Sequence, residues 1–294
     1  MASELLMVFY DVQHGSATYI KTPNGKHIMI DLGTGSIKDS NATFSPLLRL
    51  KNKWKVERLD LVVITHPHRD HIDDIFNFYK LSPRALRRPK HLTERDIRAG
   101  NKSEGEERKK IDKYLEIHGQ YNSPVQPAEK VQATANNGGV KMLHFHPKKC
   151  ATSNLNNHSI VTVLSYAGSK IIIPGDNENA SWKELLEDDE FVEAIKGTDI
   201  LLASHHGRES GFCEELFDHI EPSLVLISDG PETDTSVTDR YYDVTTKEGW
   251  NVYKRSSDDP PEKRWVLTTR NDKAIVARFG ISNAKKKYMN VTIA

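Results

Sequence analysis

The sequence predicts an α/β fold of two packed mixed sheets covered by helices, and three observations carry that expectation. Short apolar runs suited to strands fall into two groups, before residue 65 and after residue 139, with helical patterns between and outside them. One run, "LDLVVI" (59–64), is apolar on both faces, as a central buried strand would be. Several runs end in Gly, Asp or His, at the strand ends where layered α/β proteins place their chemistry. The 294 residues are about twice the usual domain size, yet such folds often use this length as one domain. Residues 1–294 are therefore expected to form a single domain with a surface insertion at about 81–139.

In chain order, "LLMVFYDV" (5–12), "ATYIKT" (17–22) and "HIMIDL" (27–32) are β-rich and closed by turn signals such as "TPNGK". "SPLLRLKNKW" (45–54) has helical spacing, and "IDDIFNFY" (72–79) predicts a second helix after the buried strand. Residues 81–139 are basic, then charged through "SEGEERKKIDKYLEIHG", then loose and polar, and are expected as a helix-bearing surface lid. Strand patterns return at "VKMLHF" (140–145), "SIVTVLSY" (159–166) and "KIIIPG" (170–175). Helices are expected at 180–188 and 189–196, near 212–220 and near 238–248, with strands "DILLAS" (199–204) and "SLVLIS" (223–228) among them. "TTRNDKAIVARF" (268–279) reads as a closing hairpin, and Tyr241, Tyr242 and Trp250 as core aromatics.

Lys+Arg and Asp+Glu number 41 each, so no global field attracts a polyanion. Basic residues concentrate at 83–113, eleven against six acidic, and at 263–294, eight against one, so polyanion binding would have to be local. The N-terminus lacks a signal-peptide pattern, no segment reaches the roughly 18–20 apolar residues of a membrane span, and Cys150 and Cys213 form no paired motif. A cytoplasmic chain with reduced thiols and no membrane contact is the expectation.

The chemistry is expected at "THPHRDHIDD" (65–74). In an extended segment His66 and His68 point to one side, a spacing that lets two imidazoles grip one cation at about 2.0–2.1 Å. Asp70 and His71 follow at the turn into a helix, where they can face a second cation. Among 13 histidines, the pattern H-x-H-x-D-H arises by chance on the order of 10⁻³ times in such a chain. Further donors stand at other strand ends: Asp31 after "HIMI", Asp176 after "KIIIPG", and His205 and His206 after "DILLAS". His144 and His146 in "MLHFHP" have no carboxylate or third histidine following them and read as strand-edge residues.

The ordered set of Asp31, "HPHRDH", "PGDNE" and "ASHHG" resembles the metallo-β-lactamase fold superfamily. "FYDVQHGSATYI", "NNHSIVTVL" and "SHHGRESG" further resemble the hydrolase domain of the ComEC/Rec2 competence proteins, a branch linked to DNA degradation during uptake. The resemblance implies a four-layer αββα sandwich and two divalent metal ions, Zn²⁺ or Mn²⁺. It implies His66 and His68 on the first metal, Asp70 and His71 on the second, and Asp176 bridging them. His205 would complete the second metal's set of donors, with His206 the lesser choice. Asp70 and Asp31 would be catalytic, Asp70 as ligand and proton acceptor and Asp31 by orienting a ligand histidine or the nucleophilic water. The segment before "SIVTVL" departs from many members, leaving Asn157 or His158 as the further first-metal candidate. Arg208 and Ser210 are expected to bind substrate phosphate, while "RALRRPK" (84–90) and "KKK" (285–287) fit a DNA track and an ordinary solvated surface equally well.

Three functions fit these residues. The first is a metal-dependent nuclease or phosphodiesterase acting on DNA or another phosphodiester. The second is a hydrolase of a small molecule such as a cyclic nucleotide, lactone or thioester, since function lives in the site's surroundings rather than in the fold. The third is a non-catalytic regulatory subunit. A role in nucleic-acid processing or phage defence alongside a protein partner is compatible with the first of these.

Overall fold

The computed structural model describes residues 3–36, 43–102, 104–230, 236–255 and 259–294. Two mixed sheets face each other. The larger runs, edge to edge, through Glu262–Arg264, Trp250–Lys254, Lys287–Ile293, Ile275–Ile281, Ser3–Phe9, Thr18–Lys21, His27–Ile30, Leu61–Val63 and Leu86–Arg87. The smaller runs through Val266–Thr268, Leu224–Ile227, Ile200–Leu202, Ser169–Ile173, Val161–Tyr166 and Lys141–Phe145.

Alternation of apolar side chains decides which face meets which layer. Leu5, Met7, Phe9, Ile28 and Ile30 of the larger sheet pack between the sheets against Leu164, Ile171, Ile173, Leu224 and Leu226 of the smaller one. Their sequence neighbours, such as Val8, Met29 and Val62, point outward to helices Pro46–Asn52 and Gly105–Gln120. On the far side Ile172, Leu201 and Val225 meet helices Asn179–Leu186 and Asp189–Ile195. The four-layer αββα order follows because strands apolar on both faces need cover on both sides.

Helix Gly105–Gln120 lies inside the segment expected as a lid. It buries Ile111, Tyr114 and Ile117 against the larger sheet and so builds the outer helical layer. The helix expected at 72–79 divides into one α-turn, Arg69–Ile72, and a 3₁₀ stretch, Ile75–Leu81. The closing hairpin is not formed as expected. Val266–Thr268 joins the smaller sheet and Ile275–Ile281 the larger, joined by the short helix Thr269–Asp272. Thr268 caps that helix and the Asp272 carboxylate accepts from the Thr268 N–H at 2.9 Å, so the chain turns between sheets instead of folding back. Ile275–Ile281 pairs with Lys287–Ile293, a strand the sequence reading did not assign. Tyr241 is buried as expected, whereas Tyr242 is half exposed beside Trp265 and Trp250 lies partly buried.

Parallel pairing sets the position of the site. His27–Ile30 and Leu61–Val63 run parallel, as do Ser169–Ile173, Ile200–Leu202 and Leu224–Ile227. The C-terminal ends of these strands deliver Asp31, His66, Asp176, His205 and His206, and Asp229. No helix among the described residues is long and apolar enough to cross a membrane.

Candidate metal centre

Asp70, His71, Asp176 and His206 place one donor atom each within 4.8 Å of one another. Their convergence rests on local backbone. After Leu61–Val63 the chain stays extended through His68, which has φ −77° and ψ 154°, and one α-turn then begins at Arg69. That turn is tied down by backbone bonds from Leu32 N to His71 O (2.8 Å) and from Ser16 N to Asp70 O (3.3 Å). Gly15 permits the approach, since a Cβ there would lie 2.7 Å from the Asp70 carbonyl oxygen, at φ +155°.

Asp31 is fully buried and left-handed (φ 57°). Its carboxylate accepts from the Thr65 N–H at 2.7 Å, from the Thr65 hydroxyl at 2.8 Å and from His71 Nδ1 at 2.8 Å. With Nδ1 occupied in this way, His71 presents Nε2 to Asp176 Oδ1 at 3.2 Å and to Asp70 Oδ2 at 3.8 Å. That nitrogen is buried and makes no hydrogen bond. A buried imidazole oriented by a carboxylate, with its other nitrogen aimed at two more carboxylates, is how a metal-ligating histidine is held. The donor set fits a divalent cation.

His206 completes the group. The turn after Ile200–Leu202 is left-handed at both His205 (φ 51°) and His206 (φ 57°), an uncommon backbone for side-chain-bearing residues. His206 Nδ1 donates to the Ser228 carbonyl at 2.9 Å, and Nε2 lies 3.1 Å from Asp70 Oδ2 and 3.4 Å from Asp176 Oδ2. The sequence reading ranked His205 first, but the structure puts His206 with Asp70, His71 and Asp176. His205 faces another way: its Nδ1 meets Ser210 Oγ at 2.7 Å and Glu178 Oε1 at 3.5 Å, while Nε2 lies 4.0 Å from Asp176 Oδ2.

His66 and His68 form a neighbouring pair, with Nε2 and Nδ1 2.9 Å apart and His66 Nε2 3.8 Å from Asp176 Oδ2. Asp176 thus stands between the two groups of donors. Gly175 before it is left-handed (φ 64°) and packs so closely on Thr65 that a Cβ would sit 2.7 Å away. Neither Asn157 nor His158 joins the His66–His68 side. Asn157 Oδ1 accepts from the Glu178 N–H at 3.2 Å, and His158 Nδ1 turns to His91 at 2.9 Å.

Electrostatics follow the donor types. Burial pulls the His71 pKa down, but Asp176, Asp31 and Asp70 outweigh it and hold the ring well above its ordinary range. Burial also acts on His206, and Asp176 and Asp70 overcome it to push the ring to about 10. Burial acts to raise Asp176, yet His71, His206 and His66 keep its carboxyl well below the usual range. His66, with burial as the dominant influence, is held well below 6.5. The raised rings of His71 and His206 offset part of the negative charge of the carboxylates around them, and a cation bound here would compete with the ring protons.

Two neighbours were missed by sequence reasoning. His14 places Nε2 3.6 Å from Asp70 Oδ2 and its ring 4.7 Å from that of His206. Glu178 accepts from Asn154 (2.8 Å) and Asn156 (2.9 Å) and faces His205. Both lie in quoted motifs, but nothing in their spacing separates them from turn residues.

Residues 10–210 match the model of the metallo-beta-lactamase superfamily. The chain belongs to this superfamily. It is similar to ComE operon protein 3 of Bacillus subtilis (strain 168), at 24% identity over 248 residues, which are 78% of this chain and 29% of that protein. The chain therefore spans under a third of that curated relative's length. Solved structures with a similar fold include a provisionally named metal-dependent hydrolase from Parabacteroides distasonis ATCC 8503, at 12% identity and TM-score 0.44, covering 90% of this chain and 92% of that one. Others are a diphosphatase of the PhnP family (12%, TM-score 0.40, 77% and 87%) and CmlA, a diiron beta-hydroxylase from Streptomyces venezuelae (12%, TM-score 0.44, 78% and 45%). Family and donor set together identify a metal-dependent hydrolase with a divalent-cation site.

Proposed function

We propose that the chain is a phosphodiesterase that cleaves DNA at a dinuclear centre of Zn²⁺ or Mn²⁺. Asp70, His71, Asp176 and His206 would hold one ion, and His66 and His68, sharing Asp176, the other. Such ions supply Lewis-acid polarisation of a phosphoryl oxygen and a nucleophilic water at neutral pH.

The observation that carries the phosphodiester reading is a groove of about 410 Å³ beside the donors, lined by His14, Arg69 and Arg208 among others. Arg208 donates to His14 Nε2 at 3.4 Å, and among the described residues no carboxylate lies within ion-pair distance of its guanidinium. A guanidinium with donors to spare next to a cation site suits the non-bridging oxygens of a phosphodiester. Asp31 would hold His71 in the ligating tautomer, and Asp70 Oδ2 would take the proton of the attacking water. Ser210 is engaged by His205, so in this reading it orients that ring rather than the substrate.

The resemblance to the competence-protein branch supports DNA as the substrate class. Two arginines of the first basic run are engaged within the protein itself, and the second run lies away from the site. Arg88 is buried and donates to the Tyr121 carbonyl at 3.0 Å, and Arg84 pairs with Glu129. Lys285–Lys287 lie next to Ile281, which pairs with Ser3, while the loop carrying His14 follows Phe9 at the other end of that strand. A groove of this size favours a second reading, hydrolysis of a small phosphodiester such as a cyclic nucleotide.

The test incubates purified protein with linear single- and double-stranded DNA plus Mn²⁺ or Zn²⁺, beside Asp70→Ala and Arg208→Ala. Metal-dependent cleavage abolished in the first variant and weakened in the second supports the DNA reading. Intact DNA alongside turnover of cyclic nucleotides transfers it to the small substrate.

A further inference from the structure

Three histidines outside the catalytic centre converge from separate parts of the chain: His91 after strand Leu86–Arg87, His146 at the end of strand Lys141–Phe145, and His158 in the 3₁₀ turn Leu155–His158. We propose that His91, His146 and His158 form a separate site for a late first-row divalent cation, of which Zn²⁺ is the probe, and that the ion clamps the segment around His91 to the turn beside the catalytic centre.

The geometry resembles that of the catalytic histidines. His91 Nε2 and His158 Nδ1 face each other at 2.9 Å, the same separation found between His66 Nε2 and His68 Nδ1. Two imidazole nitrogens cannot meet lone pair to lone pair, so either one proton or one cation lies between them. The rings of His91 and His146 are parallel within 20° and 5.8 Å apart, so a swing of the exposed His146 side chain brings a third nitrogen onto the pair. His146 Nδ1 donates to the Pro147 carbonyl at 3.0 Å, which leaves Nε2 as the lone-pair nitrogen. His91 and His146 are exposed and His158 is buried, so solvent reaches the site from one side and can complete the coordination with water.

The nearby carboxylates are engaged elsewhere. Asp96 caps the helix Glu94–Gly100 and accepts from Thr152 at 2.9 Å, and Glu184 accepts from the amides of Lys148, Lys149 and Cys150. An all-imidazole set selects Zn²⁺, Ni²⁺ or Cu²⁺ over Mg²⁺, Ca²⁺ or Mn²⁺. His158 belongs to the segment whose Asn156 and Asn157 hold Glu178 near His205, so the clamp would stabilise one wall of the catalytic centre.

The experiment strips the protein of metal, titrates it with Zn²⁺ and counts bound equivalents after gel filtration. Wild type, His91→Ala and His146→Ala are compared, each also in an Asp176→Asn background that weakens the catalytic centre. The exposed positions of His91 and His146 make both substitutions tolerable to the fold, and circular dichroism checks this. The expected result is the loss of one equivalent in either single variant, with the same further loss on top of Asp176→Asn. Equal Zn²⁺ binding in wild type and the His91 and His146 variants would overturn the proposal and leave a hydrogen-bonded pair. So would a loss that vanishes in the Asp176→Asn background, since the ion would then belong to the catalytic centre. DNA cleavage is not read, so the outcome is independent of the proposed activity.

Discussion

Replacing Asp31 by Asn tests whether a buried carboxylate sets the orientation and tautomer of His71. The substitution keeps size and shape but exchanges one accepting oxygen for an NH₂ donor. Asp31 now accepts three bonds, two from Thr65 and one from His71 Nδ1, all between 2.7 and 2.8 Å. An amide cannot accept all three, so one donor must turn away or His71 must move its proton to Nε2. In the second case the nitrogen that faces Asp70 and Asp176 loses its lone pair. Removing a partner of this kind costs about 10- to 100-fold in metal affinity, or about 1.4–2.7 kcal/mol. The metal-free protein should also lose about 1–3 kcal/mol, because a charge-assisted bond in a fully buried place is broken. Chelator-competition titration with Zn²⁺ reads the first quantity and urea unfolding of the metal-free protein the second. Zn²⁺ affinity within about twofold of wild type, in a folded Asp31→Asn variant, would refute the reasoning, since the expected loss is about tenfold or more.

Other expectations follow from the same geometry. His206→Ala should lose more bound metal than His205→Ala by elemental analysis, because Nε2 of His206 lies 3.1 Å from Asp70 and 3.4 Å from Asp176, against 4.0 Å from His205 to Asp176. Gly15→Ala drives a methyl to within 2.7 Å of the Asp70 carbonyl and should cost about 1–3 kcal/mol by urea unfolding, with weaker Zn²⁺ binding. Burial, aided by Arg87, lowers the His144 pKa to about 3, so the unfolded chain takes up that proton first. Its contribution is fully present above about pH 6.5 and is lost as pH falls toward 3, with a slope of up to about 1.4 kcal/mol per unit. His144→Gln should flatten the pH dependence of the urea midpoint between about pH 4.5 and 7, and an unchanged slope would dismiss the effect. Trp182→Ala should cost about 3–5 kcal/mol, since the ring is almost wholly buried under the smaller sheet and its N–H reaches the Gly211 carbonyl.

The layered α/β fold was legible because its evidence is local. Strands such as Leu61–Val63 and Leu224–Ile227 are buried on both faces and read as short apolar runs, and the helices between them carry their own periodicity. His66, His68, Asp70 and His71 were legible for the same reason: they are contiguous, and one extended segment and one turn place them. Asp31 and Asp176 could be nominated because a strand end is a recognisable place.

What the residues in order could not convey is direction and partnership across the chain. The choice between His205 and His206 depends on two consecutive left-handed residues, whose side chains then point to different neighbours. The return of Val266–Thr268 to the smaller sheet depends on a short capped helix. His158 and His146 acquire their relation to His91 only when segments 67 and 55 residues away from it fold beside it. Hydrophobic periodicity acts over a few residues and specified the layers, whereas donor convergence also requires several strand ends to meet in space, which the packing of the two sheets decides together with the local backbone.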